Sequence, residues 1–132
     1  DDYAHHPQEI ATMLNSVRSL YPNRKLTVCF QPHLYTRTRD FADDFAKSLS
    51  IADRVFLLDI YPARELPIEG VSSSMLADKI EGNNKVSLTT KERLVEDLVA
   101  EPLEVVVVMG AGDIDRLLEP IADRMQQILN AR

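Results

Sequence analysis

The residues best suited to binding chemistry lie in the run from Phe30 to Asp40, which carries a histidine and two arginines. Thr36 or Thr38 could cap a helix that starts in this run. Arg37 and Arg39 would then lie near a helix N-terminus, where a cation opposes the helix dipole. A guanidinium can hold a carboxylate through two hydrogen bonds. We therefore predict a carboxylate-binding site at Arg37. The alternative, a salt bridge to Asp40, Asp43 or Asp44, is favoured more for Arg39 than for Arg37.

A second cluster, from Asp1 to Pro7, places two acids, a phenol and two imidazoles in a turn before a helix. Asp2 could contact a sugar hydroxyl, and Tyr3 and His5 could contact a small polar ligand. Helix capping by solvated polar groups explains these residues equally well. A metal site that includes His33 is not favoured, because no cysteine or acid stands at a familiar ligand spacing.

Two further segments follow apolar runs. Tyr61–Glu65 and Pro67–Val71 form a long loop, which could be a lid or a plain connection. The turn Gly110–Asp113 lacks the third glycine of a dinucleotide fingerprint and ends in an acid where a pyrophosphate would lie. We expect a tight turn in which Gly110 and Gly112 let the backbone approach a small ligand. Because no phosphate-binding loop or Ser-His-Asp pattern appears, we expect no catalytic residue in this chain alone.

The elements that must position these segments are predicted from the spacing of apolar residues. Continuous apolar runs, typical of strands covered on both faces, occupy 25–30, 54–60, 85–88 and 103–109. Helical spacing occupies 10–20, 38–50, 72–80, 90–100 and 114–129. Thr90 is a candidate cap, and Pro120 should kink the last helix or mark its restart.

This alternation predicts one domain with a Rossmann-like, open, mostly parallel α/β sheet and helices on both faces. In such sheets ligands bind beyond the carboxyl ends of the strands, which is where the polar segments fall.

The amino-acid composition argues against several classes of function. The 132 residues carry 15 Lys and Arg against 21 Asp and Glu, a net charge of -6 that argues against a nucleic-acid partner. Neither a membrane-spanning run nor a signal peptide is apparent. The one cysteine, Cys29, lies in an apolar run, so we expect a buried thiol and a cytoplasmic protein. Because the chain does not begin with Met, we expect it to be part of a longer protein.

The polar segments, taken in their order along the chain, resemble those of the third, C-terminal domain of the Mur ligases of peptidoglycan synthesis. The residues on which the resemblance rests are 1–7, 30–41 with 43–45, 59–65 with 67–68 and 70–71, and 110–114. The resemblance implies an ADP-forming ligase in which the UDP-N-acetylmuramate carboxylate becomes an acyl phosphate that L-alanine attacks. Residues 1–132 would be the domain that covers part of ATP and delivers the amino acid. The UDP-sugar domain and the central domain that holds ATP and Mg²⁺ would lie outside this chain.

The resemblance also implies ligand contacts for particular residues: Asp2 at the ribose of ATP, and Tyr3, His5, His33 and Arg37 on the L-alanine side. Arg37 would bind the L-alanine carboxylate with help from Arg39, and the turn that carries Gly110 and Gly112 would line the same pocket. Leu34 stands where some members of the family have a second arginine, which puts a two-arginine clamp in doubt.

Two alternatives remain open. A ligase that recycles murein tripeptide shares the Ala-His-His-Pro turn, although the Tyr-Thr-Arg-Thr-Arg continuation favours L-alanine as the acceptor. A non-catalytic α/β module that binds a small ligand or a partner protein also fits the polar crevice. In either ligase, the isolated chain is expected to be inactive.

Overall fold

The computed structural model describes residues 6–80, 82, 85–110, 114 and 118–130, which form three layers of helices and sheet. The elements in chain order are α1 (Pro7–Leu20), β1 (Leu26–Gln31), α2 (Tyr35–Asp40), α3 (Ala42–Leu49), β2 (Arg54–Leu57), α4 (Ser73–Lys79), β3 (Val86–Leu88), α5 (Leu94–Val99), β4 (Val105–Gly110) and α6 (Leu118–Asn130). The strands are parallel and lie in the order β3-β2-β1-β4. The predicted open, parallel α/β sheet is therefore confirmed.

Both faces of the sheet are covered, which explains the continuous apolar runs. Val28 and Phe30 of β1 face a core formed with α1, α3 and α4. Cys29, between them, faces a second core with Phe56 and with Leu94 of α5. Because successive side chains of a strand point to opposite faces, a strand between two helical layers must be apolar at every position.

The start of α1 is held by a capping box at His6 and Glu9. The His6 ring accepts the N–H of Gln8 at 3.3 Å, and the Glu9 carboxylate accepts the N–H of His6 at 3.0 Å. Pro7 is the first helical residue, where its missing N–H costs nothing. For this described end of the Asp1–Pro7 turn, the capping interpretation is confirmed.

Several predicted helix bounds were wrong. The stretch 38–50 is not one helix, because α2 and α3 are separated at Phe41, whose φ of -118° and ψ of 21° leave the helical region. The last helix begins at Leu118, which places Pro120 in its first turn. Proline does not kink a helix there, because the N–H groups of the first turn have no partner within the helix. The Thr90 hydroxyl accepts the N–H of Arg93 at 3.3 Å, but α5 itself begins only at Leu94.

Candidate functional site

The carboxyl ends of β1 and β2 continue into two segments that stay paired after the strands end. His33 and Tyr61 form an isolated parallel bridge. The N–H of Leu34 donates to the carbonyl of Tyr61 at 2.9 Å, and the N–H of Tyr61 donates to the carbonyl of Pro32 at 2.8 Å. The run after β1 and the loop after β2 are therefore held together at the sheet edge predicted to bind ligands.

Arg37 and His33 are brought together by the first turn of α2. A terminal nitrogen of Arg37 lies 3.1 Å from Nδ1 of His33, and both residues are half-buried. Arginine only donates hydrogen bonds, so Nδ1 of His33 is the acceptor in this contact. Within the described part of the chain, no carboxylate forms an ion pair with Arg37. A planar guanidinium without such a partner is suited to pairing with an anionic ligand.

Arg39 behaves differently from Arg37. Its Nε donates to the Asp40 carboxylate at 2.9 Å, and about half of each side chain is exposed. This hydrogen bond and charge raise the pKa of Arg39 above its usual range. The predicted salt bridge to a following aspartate is confirmed, and a role for Arg39 in ligand binding stays a prediction.

The prediction that Thr36 or Thr38 caps α2 was wrong. The N-cap is Leu34, whose φ of 71° is unusual for a residue other than glycine, and its side chain makes no capping hydrogen bond. The Thr38 hydroxyl donates back to the carbonyl of Leu34 at 2.8 Å. Thr36 instead donates its N–H at 3.1 Å and its hydroxyl at 2.5 Å to the carboxylate of Glu65. A residue of the loop after β2 therefore takes the place of the cap.

A cleft of about 260 Å³ opens where the segments after β1, β2 and β3 meet. Its polar lining comes from Gln31, Asp59, Tyr61, Thr90, Lys91 and Glu92. The Lys91 ammonium lies 5.7 Å from the centre of the Tyr61 ring, close enough for a cation–π contact. The Gln31 amide nitrogen donates to the carbonyl of Asp59 at 3.2 Å. The amide oxygen of Gln31 is buried and has no hydrogen-bond partner among the described residues, so it can accept from a ligand.

Gly110 ends β4 directly opposite Gln31 of β1. Its φ is +138°, and a Cβ added there would lie 2.5 Å from the carbonyl oxygen of Gln31. The sequence pattern predicted that the backbone approaches a ligand at this turn. In the described part of the turn, the close approach is to the neighbouring strand.

Four predicted site residues, Asp2, Tyr3, His5 and Gly112, lie outside the described residues. Among those that are described, no group of three or more His, Cys, Asp and Glu side chains could hold a metal ion. Within the same ranges, no helix is long and apolar enough to cross a bilayer.

The sequence patterns placed the segments containing Gln31 and Glu65 at this edge without assigning either residue a role, and they did not include the Thr90–Glu92 segment. Glu65 reaches its partner across 29 residues of chain, and no local pattern reports such a contact. Thr90–Glu92 was overlooked because β3 is only 3 residues long and its apolar signal is weak. A role for Gln31 could have been predicted, since it directly follows a strong strand pattern at the edge where ligands bind.

The fold and this edge define a doubly wound α/β domain with polar side chains, Arg37 and His33 among them, beyond the carboxyl ends of its strands. The profile of the Mur ligase family, glutamate ligase domain, matches residues 1–112, and the chain belongs to this family. It is 60% identical over 121 residues to a UDP-N-acetylmuramate–L-alanine ligase of Christiangramia forsetii, covering 92% of this chain and 26% of that protein. The chain thus spans about a quarter of the length of the curated relatives it matches.

Two solved structures share the fold. The UDP-N-acetylmuramate–alanine ligase of Thermotoga maritima is 28% identical, with a TM-score of 0.73 over 96% of this chain and 26% of that one. A murein peptide ligase of Psychrobacter arcticus is 17% identical, with a TM-score of 0.69 over 93% of this chain and 26% of that one. The second likeness concerns the fold alone, so it does not select between the two acceptors.

Proposed function

We propose that this chain is the domain that binds L-alanine in an ADP-forming ligase of peptidoglycan synthesis. The complete enzyme would join L-alanine to UDP-N-acetylmuramate through an acyl phosphate in the cytoplasm. The observation that carries the proposal is Arg37, a half-buried guanidinium oriented by His33 and without an ion-pair partner among the described residues. Its planar donors match the carboxylate of an amino acid. The 60% identity to a relative named as an L-alanine ligase supports the same acceptor.

The division of labour between domains is part of the proposal. Residues 1–132 would form the third domain, and the UDP-sugar and ATP would be held mainly by domains outside this chain. Asp2 would contact the ribose of ATP, with Tyr3 and His5 beside the amino acid. Mg²⁺ would offset the phosphate charges, held by groups outside this chain. Among the described residues, no cluster of metal-ligating side chains offers it a site.

This domain would contribute to the reaction by placing the amino acid and excluding water. Arg37 would hold the carboxylate and so orient the amino group toward the acyl phosphate. Closure of the domain would protect that intermediate from hydrolysis. The chain alone would release no phosphate from ATP.

Phosphate release by the full-length ligase, with ATP, Mg²⁺ and UDP-N-acetylmuramate, tests the proposal. L-Alanine and murein tripeptide should be compared at matched concentrations. Release that depends on L-alanine supports the proposal. Release that depends only on tripeptide would assign the chain to a recycling ligase, and release with neither acceptor would remove the catalytic assignment.

A further inference from the structure

The helix that carries Arg37 depends on contacts with the rest of the chain for its stability. The α2 helix has 6 residues, and helices this short are unstable without outside contacts. Its N-cap, Leu34, has a φ of 71° and provides no side-chain acceptor for the N–H groups of the first turn. The start of α2 therefore depends on groups from elsewhere in the chain.

Glu65 supplies the missing acceptor. One of its carboxylate oxygens accepts the N–H of Thr36 at 3.1 Å, and the other accepts the Thr36 hydroxyl at 2.5 Å. A carboxylate at this end of a helix also interacts favourably with the helix dipole. The hydrogen bond from the Thr36 hydroxyl is the main cause that lowers the pKa of Glu65 below its usual value, so the group is ionised at neutral pH.

Glu65 is itself held in place by the loop after β2. Its N–H donates to the carbonyl of Pro62 at 2.9 Å, which closes a tight turn directly after Tyr61. Tyr61 is in turn bridged to His33. The chain from His33 to Thr36 is thus held at both ends by the same loop, once through its backbone and once through the Glu65 carboxylate. Arg37 is the next residue.

We propose that Glu65 is a positioning residue for amino-acid binding, which fixes the first turn of α2 so that Arg37 and His33 meet the substrate carboxylate. This inference rests on the proposed function, in which Arg37 binds L-alanine. Glu65 itself would not touch the substrate. Its loss should weaken binding of the amino acid and leave the other two substrates unaffected.

The first test is a comparison of kinetic constants in the full-length ligase carrying Glu65→Ala. We expect the KM for L-alanine to rise by roughly five- to tenfold, the loss associated with a removed helix cap. The kcat and the KM values for ATP and UDP-N-acetylmuramate should stay within about twofold. Glu69→Ala, in the exposed part of the same loop, is the matched control and should leave all constants unchanged.

Variants at Thr36 separate positioning from a general loss of structure. Thr36→Ser keeps the hydroxyl and should behave like the wild type, whereas Thr36→Val removes one of the two hydrogen bonds and should raise the KM for L-alanine. An unchanged KM for L-alanine in Glu65→Ala would overturn the inference. A lower kcat with similar rises in the KM values of all three substrates would do the same, because it would make the role of Glu65 merely structural.

Hydrogen exchange distinguishes failure of this inference from failure of the proposed function. In the full-length ligase, the amides of α2 should exchange faster in Glu65→Ala than in Glu69→Ala, whatever the acceptor. Unchanged exchange would refute the cap. Faster exchange in an enzyme that does not use L-alanine would refute the proposed function and leave the cap supported.

Discussion

Gly110 lies so close to Gln31 that a methyl group on its Cα would sit 2.5 Å from the Gln31 carbonyl oxygen. The contact joins the carboxyl ends of β4 and β1, next to the proposed amino-acid site. Because the added methyl group would meet the backbone of a buried strand, no rotamer change could relieve the clash.

Gly110→Ala should therefore lower the free energy of unfolding by at least about 2 kcal/mol, combining the clash with strain at positive φ. Gly70→Ala is the control, since its φ is +79° but an added Cβ meets nothing within 4 Å. It should cost only about 1 kcal/mol, the backbone strain alone. Urea unfolding of both variants measures the difference, and equal losses would show that the contact with Gln31 does not matter.

Arg37→Ala in the full-length ligase should raise the KM for L-alanine by at least about tenfold, because a charge-assisted contact to the substrate carboxylate is lost. Steady-state kinetics with varied L-alanine measure this effect. Arg24→Ala is the matched control, because Arg24 is exposed and precedes β1 at the opposite edge of the sheet. An unchanged KM in a folded Arg37 variant would remove this residue from substrate binding.

The Cys29 thiol should be inert in the folded protein. Burial raises the pKa of the Cys29 thiol to about 12, and the thiolate is the reactive form. Dithionitrobenzoate should leave the native chain unmodified and label one thiol after denaturation. Rapid labelling of the native chain would contradict the buried placement.

The same pKa predicts how stability responds to alkaline pH. An unfolded thiol loses its proton above about pH 8.5, while the folded one keeps it up to about pH 12. Because the pKa is raised in the folded state, keeping the thiol protonated costs no stability below about pH 8.5. The free energy of unfolding then falls as the pH rises toward 12. Wild type should therefore lose stability faster than Cys29→Ala in this range, by up to about 1.4 kcal/mol per pH unit. If the stability of wild type and Cys29→Ala fell in parallel with rising pH, this prediction would be contradicted.

Glu101→Ala should destabilise the chain by about 2–3 kcal/mol, because it leaves the Arg54 guanidinium without its carboxylate partner. The Nε of Arg54 lies 3.0 Å from Glu101, and only 15% of the Arg54 side chain is exposed. Thermal unfolding measures the loss. Arg24→Ala, which breaks the more exposed pair with Glu104, should leave the midpoint unchanged. Equal effects would mean that burial does not strengthen the Arg54 pair.

Much of the fold could be read from local patterns. The valine run that became β4 and the apolar run that became β1 were both placed within two residues, because strands covered on both faces leave an unmistakable apolar signal. The break between α2 and α3 could not be read, since Phe41 fits the apolar spacing of one continuous helix. Its backbone leaves the helical region only in the folded chain.

Local sequence patterns were enough to predict the parallel α/β class, the buried thiol and the family resemblance, because each depends on residue types at short spacing. They also singled out Arg37 by its position after a strand. The pairing of Arg39 with the following Asp40 was also predicted, whereas the contact of Arg37 with the ring of His33 became visible only in the folded chain. The contact between the Glu65 carboxylate and Thr36 was likewise visible only in the folded chain. The Glu65 contact joins residues 29 positions apart through the packing of loops at the sheet edge, so no local spacing encodes it.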